Sequence, residues 1–184
     1  MVDFSRIASN LEQSENGIWV ASSQRGVSYP EDGNETRFAI EDASYWFNHR
    51  NNVITHLVSR FSPSTVFFDI GGGNGCVSNA LQSAGNEVVL VEPGSVGALN
   101  AKKRGVRTVA QSTLEDAGFE HGSLSSVGLF DVVEHIEDDA EFLQRVYYRI
   151  LQLSFFVPCS THFSAAFCSE LDGISQNCFA SHDK

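Results

Sequence analysis

Three sets of residues carry most of the chemistry this chain can offer. The first is Asp69-x-Gly71-x-Gly73-x-Gly75, in the stretch FFDIGGGNGCVSNAL (67–81). The second is a lone acid, Glu92, at the end of the apolar run EVVLVE (87–92). The third is Asp131-x-x-Glu134-His135, in FDVVEHIEDD (130–139). A glycine turn between a strand and a helix lets a ligand approach bare backbone, and the helix start adds unpaired N–H groups. An acid at the tip of a neighbouring strand can accept the two hydroxyls of a ribose.

Spacing narrows the ligand. A dinucleotide turn reads G-x-G-x-x-G/A, and from Gly71 and Gly73 the third position falls on Cys76. A phosphate-binding P-loop needs Gly-Lys-Ser/Thr, and no lysine stands near. An acid ahead of the turn repels a pyrophosphate and suits a cation. S-Adenosylmethionine, with its sulfonium and ammonium groups, is such a ligand. Asp69 has a second reading, as a cap for backbone N–H groups in the turn, and Glu92 as a solvated strand end.

Asp131, Glu134 and His135 admit three readings. They form a hydrogen-bonded helix start, where acids are favoured. Or they meet substrate, with His135 as a general base for an acceptor hydroxyl or amine. Or they hold a divalent cation, with a fourth ligand drawn from His162 or His182. The cysteines Cys76, Cys159, Cys168 and Cys178 form no C-x-x-C pair, and their spacing with the tail histidines is irregular for zinc. They imply a reducing, cytoplasmic setting.

These residues need a scaffold, and the hydrophobic pattern supplies one. TVFFDI (65–70), EVVLVE (87–92), VRTVAQ (106–111) and SVGLFDVV (126–133) read as buried strands. Between them, Val77, Ala80, Leu81 and Ala84 recur at helical spacing. SVGALNAKKRG predicts a helix from a Ser95 cap to Gly105, and DDAEFLQRVYYRIL one capped by Asp138 or Asp139. Strands alternating with helices over short connections predict an α/β fold with a mostly parallel sheet covered on both faces. Val53, Ile54, Leu57, Val58 and Phe61 mark an earlier helix, ended by Pro63. SYPEDGNE (28–35) predicts a loop, and YWFNHR (45–50) is either core or a lid over the ligand.

Composition sets outer limits. The chain has 184 residues with 12 Lys and Arg against 23 Asp and Glu, a net charge of −11. A footprint for phosphate neutralisation is lacking, so nucleic acid is not expected as a partner. No apolar run reaches the roughly 18 residues of a membrane span. The N-terminus does not read as a secretory signal. A small-molecule substrate is the expected partner.

Taken together, DIGGGNG, LVEPG, STLEDAGF (112–119) and LFDVVEHIED resemble the motifs of the class I S-adenosylmethionine-dependent methyltransferases, of the type 11/12 kind. The resemblance covers about residues 37–158. It implies a Rossmann-like three-layer domain over that range, behind a loop-rich cap (1–36) and ahead of an irregular tail (159–184). It implies S-adenosyl-L-methionine as cofactor and in-line methyl transfer to a small acceptor. By it, Asp69, Gly71, Gly73 and Gly75 surround the methionine part, and Glu92 takes the ribose. Leu114 and Glu115 take the adenine, Asp131 joins the cofactor site, and His135 with Glu134 acts on the acceptor. Leu114 also reads as plain core.

The chain departs from that family in its last third. YYRILQLSFFVP (147–158) runs from helix to strand without the usual Pro/Gly turn, and a final pair of strands is not visible. This predicts a truncated or altered C-terminus with incomplete late strands. Two other functional readings stay open: a catalytically inactive cofactor-binding remnant, and a nucleotide-dependent oxidoreductase.

Overall fold

The computed structural model describes residues 2–22, 32–61 and 66–159. Seven strands form one sheet. They are β1 (Leu11–Gln13), β2 (Trp19–Ala21), β3 (Val66–Ile70), β4 (Glu87–Val91), β5 (Thr108–Gln111), β6 (Leu124–Phe130) and β7 (Ile150–Cys159). Their order is β1-β2-β5-β4-β3-β6-β7, and every pairing except β1–β2 is parallel. The helices are α1 (Asp32–Glu41), α2 (Tyr45–Phe61), α3 (Cys76–Ser83), α4 (Ser95–Arg104) and α5 (Asp139–Arg149).

The central strands β3 and β4 are largely apolar because both faces are covered. Phe68, Ile70, Val89 and Val91 pack with Phe142, Leu143 and Val146 of α5. Their sequence neighbours point the other way, as the period of two requires. Phe67 and Val88 meet Ile54 and Val58 of α2 and Val77 and Leu81 of α3, and Leu90 meets Ala98 and Ala101 of α4. Asp69 shares the side of Phe67, which turns its carboxylate toward α3.

The chain winds outward from β3 through β4 to β5, then returns to place β6 and β7 on the opposite flank of β3. The strand order therefore reverses between β3 and β6. In open parallel sheets the loops at such a point diverge beyond the strand ends and leave a crevice.

Three local expectations change. The first 21 residues hold two short strands that extend the sheet beyond β5, with Trp19 opposite Ala110. The predicted loop over 28–35 gives way to α1 from Asp32 onward; Asp and Gly are turn formers and also common at helix starts, so composition alone misassigned them. The cap of α4 is Gly94, with Ser95 already helical and no side-chain cap. Asp138 does cap α5, accepting from the Glu141 amide at 3.0 Å. Helix α5 passes directly into β7, as the missing turn residues implied. Pro63 and the tail after Cys159, with His162 and His182, lie outside the described residues. Among the described residues no helix is long and apolar enough to cross a membrane.

Candidate functional site

A cavity of about 540 Å³ opens at the strand-order reversal. One wall is the segment after β3, with Asp69, Gly71, Gly72, Gly73 and Asn74. The opposite wall is the segment after β6, with Phe130, Asp131, Val132, His135 and Ile136. Glu92 stands at the end of β4, and α1 and α2 contribute Asn34, Arg37, Phe47 and Arg50.

Glycine is required in the turn for two different reasons. At Gly75, φ is +76°, and a Cβ would stand 2.8 Å from the Ala101 Cβ and 2.9 Å from Val106. That close approach seats α3 against α4. At Gly73, φ is +51° and a Cβ would meet nothing within 4 Å, so bare backbone faces open space.

The two acids that the motif singled out frame this bare backbone. Asp69 is fully buried. Its Oδ2 accepts from the Ser78 hydroxyl at 2.6 Å, and its Oδ1 has no hydrogen-bond partner. Burial raises its pKa from 3.8 to about 6, against the lowering effects of Ser78 and the Arg50 charge. At neutral pH it is therefore mainly ionised and under-bonded. Glu92 accepts from the Gly73 amide at 2.9 Å and from the Gly94 amide at 2.7 Å. Burial also pushes its pKa up, opposed by those two amides. A carboxylate offers about four lone-pair sites, so Glu92 braces the turn and keeps acceptor capacity.

A second polar system fastens α1 over the turn. The Asn74 amide donates to the Asn34 carbonyl at 2.8 Å, and its oxygen accepts from Asn100 at 3.0 Å. Arg104 binds Glu41 at 2.8 Å, the Asn74 carbonyl at 2.7 Å and Asp42 at 3.2 Å, and stacks on Phe38. One nearly buried guanidinium thus joins the end of α4, the glycine turn and the end of α1.

The wall after β6 is organised by side chains. Asp131 has φ +57°, the left-handed region, and its carboxylate takes Arg50 Nη1 at 2.8 Å. His135 lines the cavity from a single 3₁₀ turn, Val133–His135. Glu134 is exposed and does not line it. Among the described residues no three of His, Cys, Asp and Glu converge on a point that could hold a metal. The pair with Arg50 turns Asp131 away from that use.

Leu114 and Glu115 stand apart from the cavity lining. The Leu114 side chain is buried in the core beneath the segment after β5. Glu115 pairs with Arg145 of α5 at 3.0 Å. The segment itself is tied to the N-terminus: Ser9 and Asn10 amides donate to the Gly118 and Ala117 carbonyls, and Ala8 bridges Phe119. The lid reading of 45–50 divides along α2. Phe47 and Arg50 face the cavity, while Tyr45 and Trp46 are exposed.

The model of the methyltransferase domain matches residues 68–153. The match covers just under half of the chain, 86 of its 184 residues. No curated protein matches the chain in sequence. Among solved structures, a protein of Methanococcus maripaludis assigned to the S-adenosyl-L-methionine-dependent methyltransferases is 15% identical, with a TM-score of 0.60 over 82% of this chain and 74% of that one. A methyltransferase of Thermotoga maritima is 21% identical, with a TM-score of 0.53 over 70% of this chain and 61% of that one. N-methyltransferase 2 of Haemonchus contortus, solved with phosphomonomethylethanolamine and S-adenosylhomocysteine, is 20% identical, with a TM-score of 0.57 over 79% of this chain and 38% of that one. At such identities the likeness shows the fold. The chain thus spans between about a third and three quarters of these relatives' lengths.

Around the cavity, several groups with clear geometric roles escaped the motif. Ser78 faces Asp69 from one turn into α3, a position that a search for hydroxyls opposite the buried acid could have found. Asn74 lies inside the motif itself and went unread. Arg104 and Glu41 had no local signal, because each acts on an element far away in sequence, and Arg50 was read only within the group 45–50 without its partner Asp131.

Proposed function

We propose that the chain is an S-adenosylmethionine-dependent methyltransferase that binds its cofactor along the glycine turn and methylates a small molecule. The observation that carries this reading is Asp69. A fully buried carboxylate with one orphaned oxygen, in the wall of a 540 Å³ cavity, calls for a cationic or hydrogen-bond-donating ligand. The rest of the wall fits the same molecule. The open backbone at Gly73 admits a ligand without steric cost, and Glu92 has lone pairs left for ribose hydroxyls. The volume lies within the usual range of small-molecule sites, about 300–1,000 Å³.

When bound, the cofactor supplies a methyl group on a sulfonium that leaves as a neutral thioether. The protein's task is alignment and proton handling. Asp69 and Glu92 would hold the cofactor beside α1, which Arg104 bolts down. The backbone after β5, which Leu114 supports from the core, would take the adenine; Glu115 is committed to Arg145. His135, which lines the same cavity, would take the proton from the attacking atom. Glu134 acts on His135 only through the turn they share.

Calorimetry with S-adenosylhomocysteine tests the cofactor assignment. Wild-type protein is expected to bind at micromolar level, and Asp69→Asn at least tenfold more weakly with its fold intact. Equal affinity in the two proteins would refute the role given to Asp69. Release of S-adenosylhomocysteine in the presence of acceptors then separates an active enzyme from a protein that only binds.

A further inference from the structure

The wall after β6 contains more charge than proton transfer requires. Its surfaces are apolar, formed by Phe47, Phe130, Val132 and Ile136. Into this setting α2 places a guanidinium, Arg50, whose side chain is only 14% exposed. It rests against the rings of Trp46 and Phe47, at 5.3 and 6.0 Å from their centroids. Among the described residues its ion pair, through Nη1, is with Asp131, and its Nε is buried without a hydrogen-bond partner.

That pair is poorly made for permanence. A guanidinium and a carboxylate are best matched by two parallel N–H···O bonds. Here one nitrogen is in contact with one oxygen. Asp131 is 34% exposed and holds a left-handed backbone, which aspartate tolerates but glycine adopts more readily. Nothing else in the cavity balances the guanidinium as closely. The remaining acids, Asp69, Glu92 and Glu41, belong to the glycine-turn side, where Glu41 is already bound by Arg104. The cavity is therefore polarised. One end suits a cation, and the other holds a desolvated cation with a singly bonded, replaceable partner.

We infer that the methyl acceptor is an organic anion, a small molecule with an apolar body and a carboxylate that docks on Arg50 in exchange for Asp131. This rests on the methyltransferase reading above and adds the acceptor class to it. The acceptor's apolar part lies against Phe47 and Ile136, and its charge fixes which atom faces the cofactor. For a chain of net charge −11, anions gain no long-range attraction. A buried guanidinium in the site is the means left for selecting one. The other carboxylate that could reach Arg50 is that of the cofactor's own methionine part, and the test separates the two.

The probes are benzoate and its neutral isostere benzamide, titrated into the full chain saturated with S-adenosylhomocysteine and followed by NMR shifts. Benzoate is expected to bind at least tenfold more tightly than benzamide. Arg50→Met is expected to erase that ratio. Asp131→Gly, which removes the competing carboxylate and suits the left-handed backbone, is expected to tighten benzoate severalfold. Equal binding of the two probes by wild-type protein overturns the inference, as does an Asp131→Gly variant that gains nothing. A parallel arm compares S-adenosylhomocysteine with 5′-methylthioadenosine, which lacks the carboxylate. If Arg50→Met weakens only the former, Arg50 serves the cofactor and the acceptor assignment fails. Wild-type protein that binds neither nucleoside defeats the cofactor reading itself, and the acceptor class with it.

Discussion

The two walls of the cavity are held by opposite means. The glycine turn is held by its own backbone. Its amides and carbonyls bind Glu92 and Arg104, its φ angles need glycine, and α3 starts at once from Gly75. The wall after β6 is a single 3₁₀ turn with two backbone bonds of its own, tied across to α2 by one side-chain ion pair. The first wall is pre-organised and the second is adjustable. A cofactor common to many reactions suits a fixed cradle, whereas an acceptor has to enter, react and leave.

The largest expected effect falls on the rigid wall. Gly75→Ala forces a side chain into the left-handed region and against Ala101. Strain and overpacking together cost about 4 kcal/mol, from roughly 1–3 kcal/mol for each. Urea unfolding monitored by circular dichroism reads the loss. A change below about 1 kcal/mol would mean that the turn is softer than its geometry, and the contrast between the walls would weaken.

Next comes the proton on Asp69. Folding raises its pKa from 3.8 to about 6, so between these values the folded protein keeps a proton that the unfolded chain has released. Its contribution to stability is greatest below about pH 4 and is lost as pH rises through about 6, by roughly 3 kcal/mol at 1.36 kcal/mol per unit. Unfolding free energies from pH 4 to pH 7 should show this fall, and Asp69→Asn should flatten it. Cofactor affinity should run the other way and weaken below pH 6, as the carboxylate loses its charge. A stability profile identical in wild type and Asp69→Asn would contradict the burial-driven shift.

Arg104→Met tests the bolt between the turn and α1. It strands Glu41, which is almost buried, and is expected to destabilise by about 3 kcal/mol, at the lower end for a broken buried pair. The more telling readout is hydrogen exchange in α1, which should accelerate while β3 and β4 stay protected. The smallest effect is assigned to Glu115→Ala. Its pair with Arg145 is partly exposed, and such pairs contribute about 0–1 kcal/mol. Binding of S-adenosylhomocysteine should stay within about twofold of wild type. A large loss would restore a direct role for Glu115 in holding the adenine.

The same contrast explains what could be read in advance. The strands announce themselves because both faces are buried, so Phe67, Phe68, Val88 and Val89 are all apolar. Asp69 and Glu92 stand at strand ends where the motif puts them. Those features are local, and local spacing encodes them. The β1–β2 hairpin is three residues long on each arm, and Glu12 and Gln13 are exposed, so no apolar period marks it. Helix α1 begins among turn-forming residues. Arg50, Arg104 and Glu41 act across the fold, and a linear pattern does not record which distant group an arginine will meet. Asp131 was legible as a strand-end acid, but its left-handed backbone and its partner were not.

The fastening of residues 7–10 to the segment after β5 has a consequence in time. Ser9 and Gly118 lie 109 residues apart in the chain. At roughly 5–20 residues per second of synthesis, the first strands wait on the order of 5–20 s for their partners to be made. During that interval the hairpin has no sheet to join and the segment that it will brace does not exist. Closing the N-terminus onto Ala117 and Gly118 is then a late event, and the segment after β5 is braced last by the part of the chain that was made first.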